Sequence, residues 1–95
     1  RRIDAAEALA CGLVERVVAI EEFEQTVATL AGQIRDAAPL AVRAVKQVLN
    51  QSTEVSLPAA LAYAEALRRP LDATSDYNEG LAAFAERRKP RFTGA

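Results

Sequence analysis

Thr74-Ser75-Asp76-Tyr77-Asn78-Glu79-Gly80-Leu81-Ala82-Ala83-Phe84-Ala85-Glu86-Arg87-Arg88-Lys89-Pro90-Arg91-Phe92 decides how the chain reads. Tyr77, Leu81, Phe84 and Ala85 recur at helical spacing and share one face. Thr74, Ser75 or Asp76 can cap that helix, and Asp76 with Glu79 has the spacing of a capping box. Arg87, Arg88, Lys89 and Arg91 follow, where the negative end of the helix dipole favours cations, and Pro90 starts a loop. The stretch predicts an amphipathic last helix with a basic tail.

Upstream, Ser56 can cap a helix from Leu57 to about Arg69, with Pro58 in its first turn and Pro70 at its end. Leu57, Ala60, Leu61, Tyr63, Ala64 and Leu67 make its apolar face. Before it, Pro39 breaks one helix and begins another, because it disfavours helical backbone at Ala38 and needs no amide partner at a first turn. In the helix after Pro39, Leu40, Ala41, Val42, Ala44, Val45, Val48 and Leu49 cover more than half the circumference. So wide an arc implies burial on two sides. The helix before Pro39 is expected from about Glu21 to Ala38, with Phe23, Val27, Leu30, Ala31 and Ile34 on one face. Near the start, Asp4 and Glu7 suit a capping box and Gly12 a left-handed stop. Leu13-Val14-Glu15-Arg16-Val17-Val18 reads as a brief strand or extended connector. The expected class is mainly α, with about five helices and one short strand.

Composition narrows the chemistry. The chain has 95 residues, 51% hydrophobic and 26% charged, with a net charge of -1. That is a globular balance, without the positive excess of a nucleic-acid binder. Phe92 is the only aromatic in the basic cluster, which leaves an RNA-binding tail a distant reading. No apolar run reaches membrane-span length. The single cysteine, Cys11, has no internal partner, so a reducing, cytoplasmic setting is expected. With no histidine, Cys-His and Ser-His nucleophile pairs and most zinc sites are excluded within the chain. The opening Arg1-Arg2-Ile3-Asp4 and the lack of any methionine lead us to expect a beginning further upstream.

Three stretches together resemble the enoyl-CoA hydratase/isomerase (crotonase) family. Ile3 to Val18 is similar to its "A-x-E-A-x-x-x-G-L-V-x-x-V-V" pattern, and Leu30-Ala31 through Pro39-Leu40-Ala41 to Lys46 to its helix, proline, helix and lysine order. Thr74 to Phe92 resembles "S-D-x-x-E-G-x-x-A-F-x-E-K-R-x-P-x-F". The resemblance implies that residues 1–95 are the C-terminal helical region of a ββα-superhelix fold, with the catalytic core upstream. It implies an acyl-CoA thioester substrate, no covalently bound cofactor, and packing into a trimer or a dimer of trimers. It assigns no catalytic residue and no metal ligand in this chain, which alone is expected to be inactive. It places Phe84 and Arg87 at positions where an aromatic and a basic residue approach the adenine and 3′-phosphate of coenzyme A. Arginine stands where the family often has lysine and keeps the charge. A second adenine-facing aromatic is missing, since that stretch reads Leu67-Arg68-Arg69.

Plainer readings stand beside these. Phe84 is also a candidate core residue, and the basic tail a solvated helix end. Asp76 and Glu79 read as caps, Lys46 as a surface or interface lysine, and Glu65 as a surface partner of Arg68 and Arg69. The alternative to an enzyme portion is a free-standing helical interaction module.

Overall fold

The computed structural model describes all of residues 1–95. It contains five α-helices: α1 (Ala5–Ala10), α2 (Phe23–Arg35), α3 (Pro39–Ser52), α4 (Leu57–Arg68) and α5 (Ser75–Ala85). Short 3-10 turns, Ile20–Glu22 and Arg69–Ala73, lead into α2 and out of α4. The chain divides into two compact units, Arg1–Gly32 and Gln33–Ala95.

In the first unit, the Asp4 carboxylate accepts from the Glu7 amide at 2.8 Å, an N-cap worth about 1 kcal/mol. The reciprocal arm of the box does not form, because the Glu7 carboxylate pairs with Arg1 instead. α1 ends as expected at Gly12, whose φ is +75°. There Leu13 N donates to Ala8 O at 2.9 Å and Gly12 N to Leu9 O at 3.1 Å, the paired bonds of a Schellman turn. The expected strand over Leu13–Val18 is absent: the segment is an irregular connector. A strand needs a ladder partner, and within these residues Val14 N donates only back to Ala8 O.

The second unit begins at the end of α2, which stops at Arg35, three residues short of the expected Ala38. Pro39 accounts for this: Ala38 takes an extended backbone (φ −61°, ψ 116°), and Pro39 occupies the first turn of α3. Ser56 caps α4 by accepting from Ala59 N at 3.4 Å. α3 packs along α4, and the turn after α4 packs on both α4 and α5. What was expected as a loop at Leu71–Thr74 is mostly this 3-10 turn. At α5 the cap is Thr74, accepting from Tyr77 N at 3.2 Å.

Apolar burial is slight. Ala8 and Ala83 are the only buried apolar residues. The wide face expected on α3 is open, with Val45 57% and Leu49 63% exposed. No helix is long and apolar enough to cross a membrane.

Candidate coenzyme A edge at the end of α5

The two residues singled out by sequence lie at the C-terminal end of α5. Phe84 is 87% exposed, so it is not a core residue of this chain. Tyr77 and Leu81, on the same face, are 43% and 55% exposed, so the apolar stripe opens progressively toward Phe84.

Arg87 sits in the turn that ends the helix. Its φ is +54°, the only positive value at a non-glycine residue. Arg87 N donates to Phe84 O at 3.2 Å and Arg88 N to Ala83 O at 3.0 Å. These are the same two bonds that close α1 around Gly12, now with a side chain at the left-handed position. An L-residue there costs roughly 1–2 kcal/mol.

The four cations of the tail have different fates. Arg88 donates two bonds to the Glu79 carboxylate, at 2.6 and 3.0 Å, and one to Glu86 at 2.5 Å. Lys89 Nζ donates to Asp36 at 2.7 Å. Arg91 gives its backbone amide to Glu79 at 2.7 Å, and its charge also favours the ionised carboxylate. The Arg88 bonds, then the Arg91 amide, hold the Glu79 carboxyl down to about 2. The Asp36 carboxyl is likewise lowered, first by Lys89 and then by Arg35. Neither the Arg87 nor the Arg91 guanidinium is bonded to a carboxylate, and Arg87 alone of the four bonds none through its backbone either.

Asp76 and Glu79 are therefore not the caps the sequence suggested. Asp76, 3% exposed, accepts from Thr93 N at 2.7 Å, Gly94 N at 2.8 Å and Thr93 Oγ1 at 3.3 Å. It pins the tail back along α5, and the Phe92 ring lies over Gly80. These partners lie 17 and 18 residues away, out of range of a local spacing rule. Glu65 does behave as expected: Arg68 donates to it at 2.9 and 3.0 Å, and Arg69 approaches at 3.6 Å. Asp72 takes a further pair of bonds from Arg68, both at 3.0 Å. Arg68 is thus committed within the chain. No group of three or more His, Cys, Asp or Glu is arranged to hold a metal ion.

A family profile described as enoyl-CoA hydratase/isomerase matches residues 1–95. The chain belongs to the enoyl-CoA hydratase/isomerase family. It is 39% identical over 94 residues to "Probable enoyl-CoA hydratase 2, mitochondrial" of Arabidopsis thaliana, covering 99% of this chain and 31% of that protein. It is 36% identical over 94 residues to the methylmalonyl-CoA decarboxylase of Escherichia coli, covering 97% of this chain and 36% of that protein. The crystal structure of an enoyl-CoA hydratase from Bacillus anthracis superposes with a TM-score of 0.95 at 36% identity, covering 100% of this chain and 37% of that one. The chain thus spans about a third of the length of the family members it matches. Its helices match the C-terminal helical region of crotonase-fold structures.

Proposed function

We propose that this chain is the helical portion of an enzyme acting on acyl-CoA thioesters, and that it contributes subunit packing and one edge of the coenzyme A site. Family membership supports the thioester class. The relatives include hydratases and a decarboxylase, which share an acyl-CoA substrate and differ in reaction. The observation that carries the binding edge is Arg87, an unpaired cation held at a strained backbone position three residues from an open Phe84. Strain of this kind persists where the surrounding structure imposes it, and it clusters at ligand sites. A planar ring and a guanidinium side by side suit a purine and its neighbouring phosphate.

The packing role rests on the open apolar faces. Val45, Leu49 and Leu61 are each more than half exposed, and burying such a side chain contributes about 1.5–3 kcal/mol. A trimer or dimer of trimers would cover them. The reaction itself is proposed to depend on groups outside residues 1–95, since the family resemblance assigns no catalytic residue within them. Cys11 is free and exposed, in keeping with a reducing, cytoplasmic compartment.

The test is Arg87→Glu in the full-length enzyme. The 3′-phosphate lies at the far end of coenzyme A from the thioester, so its contact should be equal in ground and transition states. KM for an acyl-CoA should rise roughly tenfold, with kcat held within about twofold. The effect should shrink with added salt and with the 3′-dephospho substrate. A drop in kcat at unchanged KM, or equal harm to the dephospho substrate, removes Arg87 from the phosphate and leaves it a solvated helix end.

A further inference from the structure

We propose that Glu79 is a positioning residue for Arg87: by clamping Arg88 and the Arg91 amide, it holds the left-handed turn that offers the Arg87 guanidinium to the 3′-phosphate of a coenzyme A thioester. This rests on the phosphate-contact reading of Arg87.

The argument begins from what keeps Arg87 in an unfavourable conformation. The backbone closes the turn with Glu86 N to Ala82 O at 2.9 Å, Arg87 N to Phe84 O at 3.2 Å and Arg88 N to Ala83 O at 3.0 Å. Those bonds end at Arg88 and do not fix the chain beyond it. Downstream, one carboxylate fixes the exit. Glu79 takes both Nη atoms of Arg88, the residue directly after Arg87, and also the Arg91 amide. Glu79 sits two turns earlier on α5, so the clamp ties the exit of the turn to the rigid body of the helix. A bidentate guanidinium pair sets direction as well as distance. With a 24% exposed Glu79 side chain against a 38% exposed Arg88, the pair is better sheltered than the others in the chain.

The clamp also settles the charges. Glu86 adjoins Arg87 in sequence and is the carboxylate best placed to quench it. The same Arg88 that Glu79 holds takes up Glu86 at 2.5 Å. Lys89 is occupied by Asp36. Of the tail cations, the Arg87 and Arg91 guanidiniums are left without a bonded carboxylate; Arg91 has the Glu79 charge nearby, and Arg87 has no carboxylate partner. Glu79 touches no ligand in this scheme; it acts through Arg88.

The experiment uses the full-length protein and reads a ratio, the Kd of 3′-dephospho-CoA over the Kd of CoA, by isothermal titration. The wild-type ratio should be about tenfold, the size of a half-wet charged contact to phosphate. Arg87→Ala should bring it to about one. Glu79→Gln should bring it to about threefold or less, by weakening CoA while leaving the dephospho ligand unchanged. Arg88→Lys, which keeps the charge and loses the fork, should do the same. The double variant Glu79→Gln/Arg87→Ala should lose no more than Arg87→Ala alone, since the two residues act through one contact. A wild-type ratio in Glu79→Gln, or equal weakening of both ligands, overturns the positioning role while the Arg87 reading stands. A ratio near one in the wild-type protein, or an unchanged ratio in Arg87→Ala, overturns both. If Glu79→Gln does not fold, the same thresholds apply to Arg88→Lys.

Discussion

Two helices of this chain end in the same hydrogen-bonded turn, one around Gly12 and one around Arg87. Exchanging the residue type at each position separates backbone strain from side-chain contact. Gly12 has φ +75° and nothing within 4 Å of where a Cβ would sit, so Gly12→Ala meets only the backbone cost. Arg87 has φ +54°, so Arg87→Gly relieves that cost. The left-handed conformation costs an L-residue roughly 1–2 kcal/mol. Glycine returns about 0.4–1 kcal/mol of this through the greater freedom of its unfolded chain. The net expectation is a gain of about 0.5–1 kcal/mol for Arg87→Gly and a loss of similar size for Gly12→Ala. Amide hydrogen exchange reads this locally, at Arg88 N for α5 and Leu13 N for α1, without requiring all-or-none unfolding. Exchange at Arg88 N should slow about two- to fivefold in Arg87→Gly, and exchange at Leu13 N should quicken by a like factor in Gly12→Ala. Arg87→Gly should at the same time lose the discrimination between CoA and 3′-dephospho-CoA. Faster exchange at Arg88 N in Arg87→Gly would refute the reasoning, because it would mean that the arginine side chain stabilises the turn by more than its backbone strain costs.

Three further outcomes follow from the same structure. Glu79 is held down to about 2 against an unfolded value near 4.3, so its stabilising contribution is complete above about pH 5 and disappears as pH falls through about 2; helicity followed by circular dichroism should drop over that window, and Glu79→Gln should flatten the drop. Asp76→Ala removes the buried acceptor of the Thr93 and Gly94 amides, so the tail should come loose at a cost of about 1.5–3 kcal/mol, seen as faster tryptic cleavage after Arg88 and Arg91 than in wild type. The isolated 95-residue chain, with Val45, Leu49, Leu57 and Leu61 open, should self-associate in sedimentation or melt at low, concentration-dependent temperature, and it should not hydrate crotonyl-CoA; a tight monomer with a steep melt, or turnover, would contradict this.

Features that depend on a few neighbouring residues were legible in the sequence, and features that depend on distant ones were not. Asp4, Ser56, Gly12 and Pro39 each act within one helical turn, and each does what its residue type and spacing predicted. The valine-rich connector failed as a strand because strand formation is decided by a partner, and residue type records only the tendency. Asp76 and Glu79 show the same limit within one helix. Their spacing fits a capping box, yet Thr74 takes the cap, and both carboxylates turn to a tail that returns from 12 to 18 residues away. A capping residue needs only the next turn of its own helix; a clamp needs to know where the chain comes back.

That difference also explains why Arg87 was identified as a candidate while its support was missed. The position of Arg87 came from resemblance to a family pattern, and a linear pattern keeps its place along the chain. The pattern says nothing of φ, and an arginine in a run of four cations gives no local sign that its backbone is left-handed. Glu79 stands eight residues before Arg87, on the same helix, and its spacing from Asp76 reads there as half of a capping box. Only with the tail folded back does the run of like charges sort into an arginine held by two carboxylates, a lysine held by a third, an arginine whose amide is bonded to Glu79 with its guanidinium free, and Arg87, with no carboxylate partner at all. The functional assignment of the edge therefore rests on the pairing of its neighbours as much as on Arg87 itself. It is the pairing that the isosteric, charge-removing change Glu79→Gln tests.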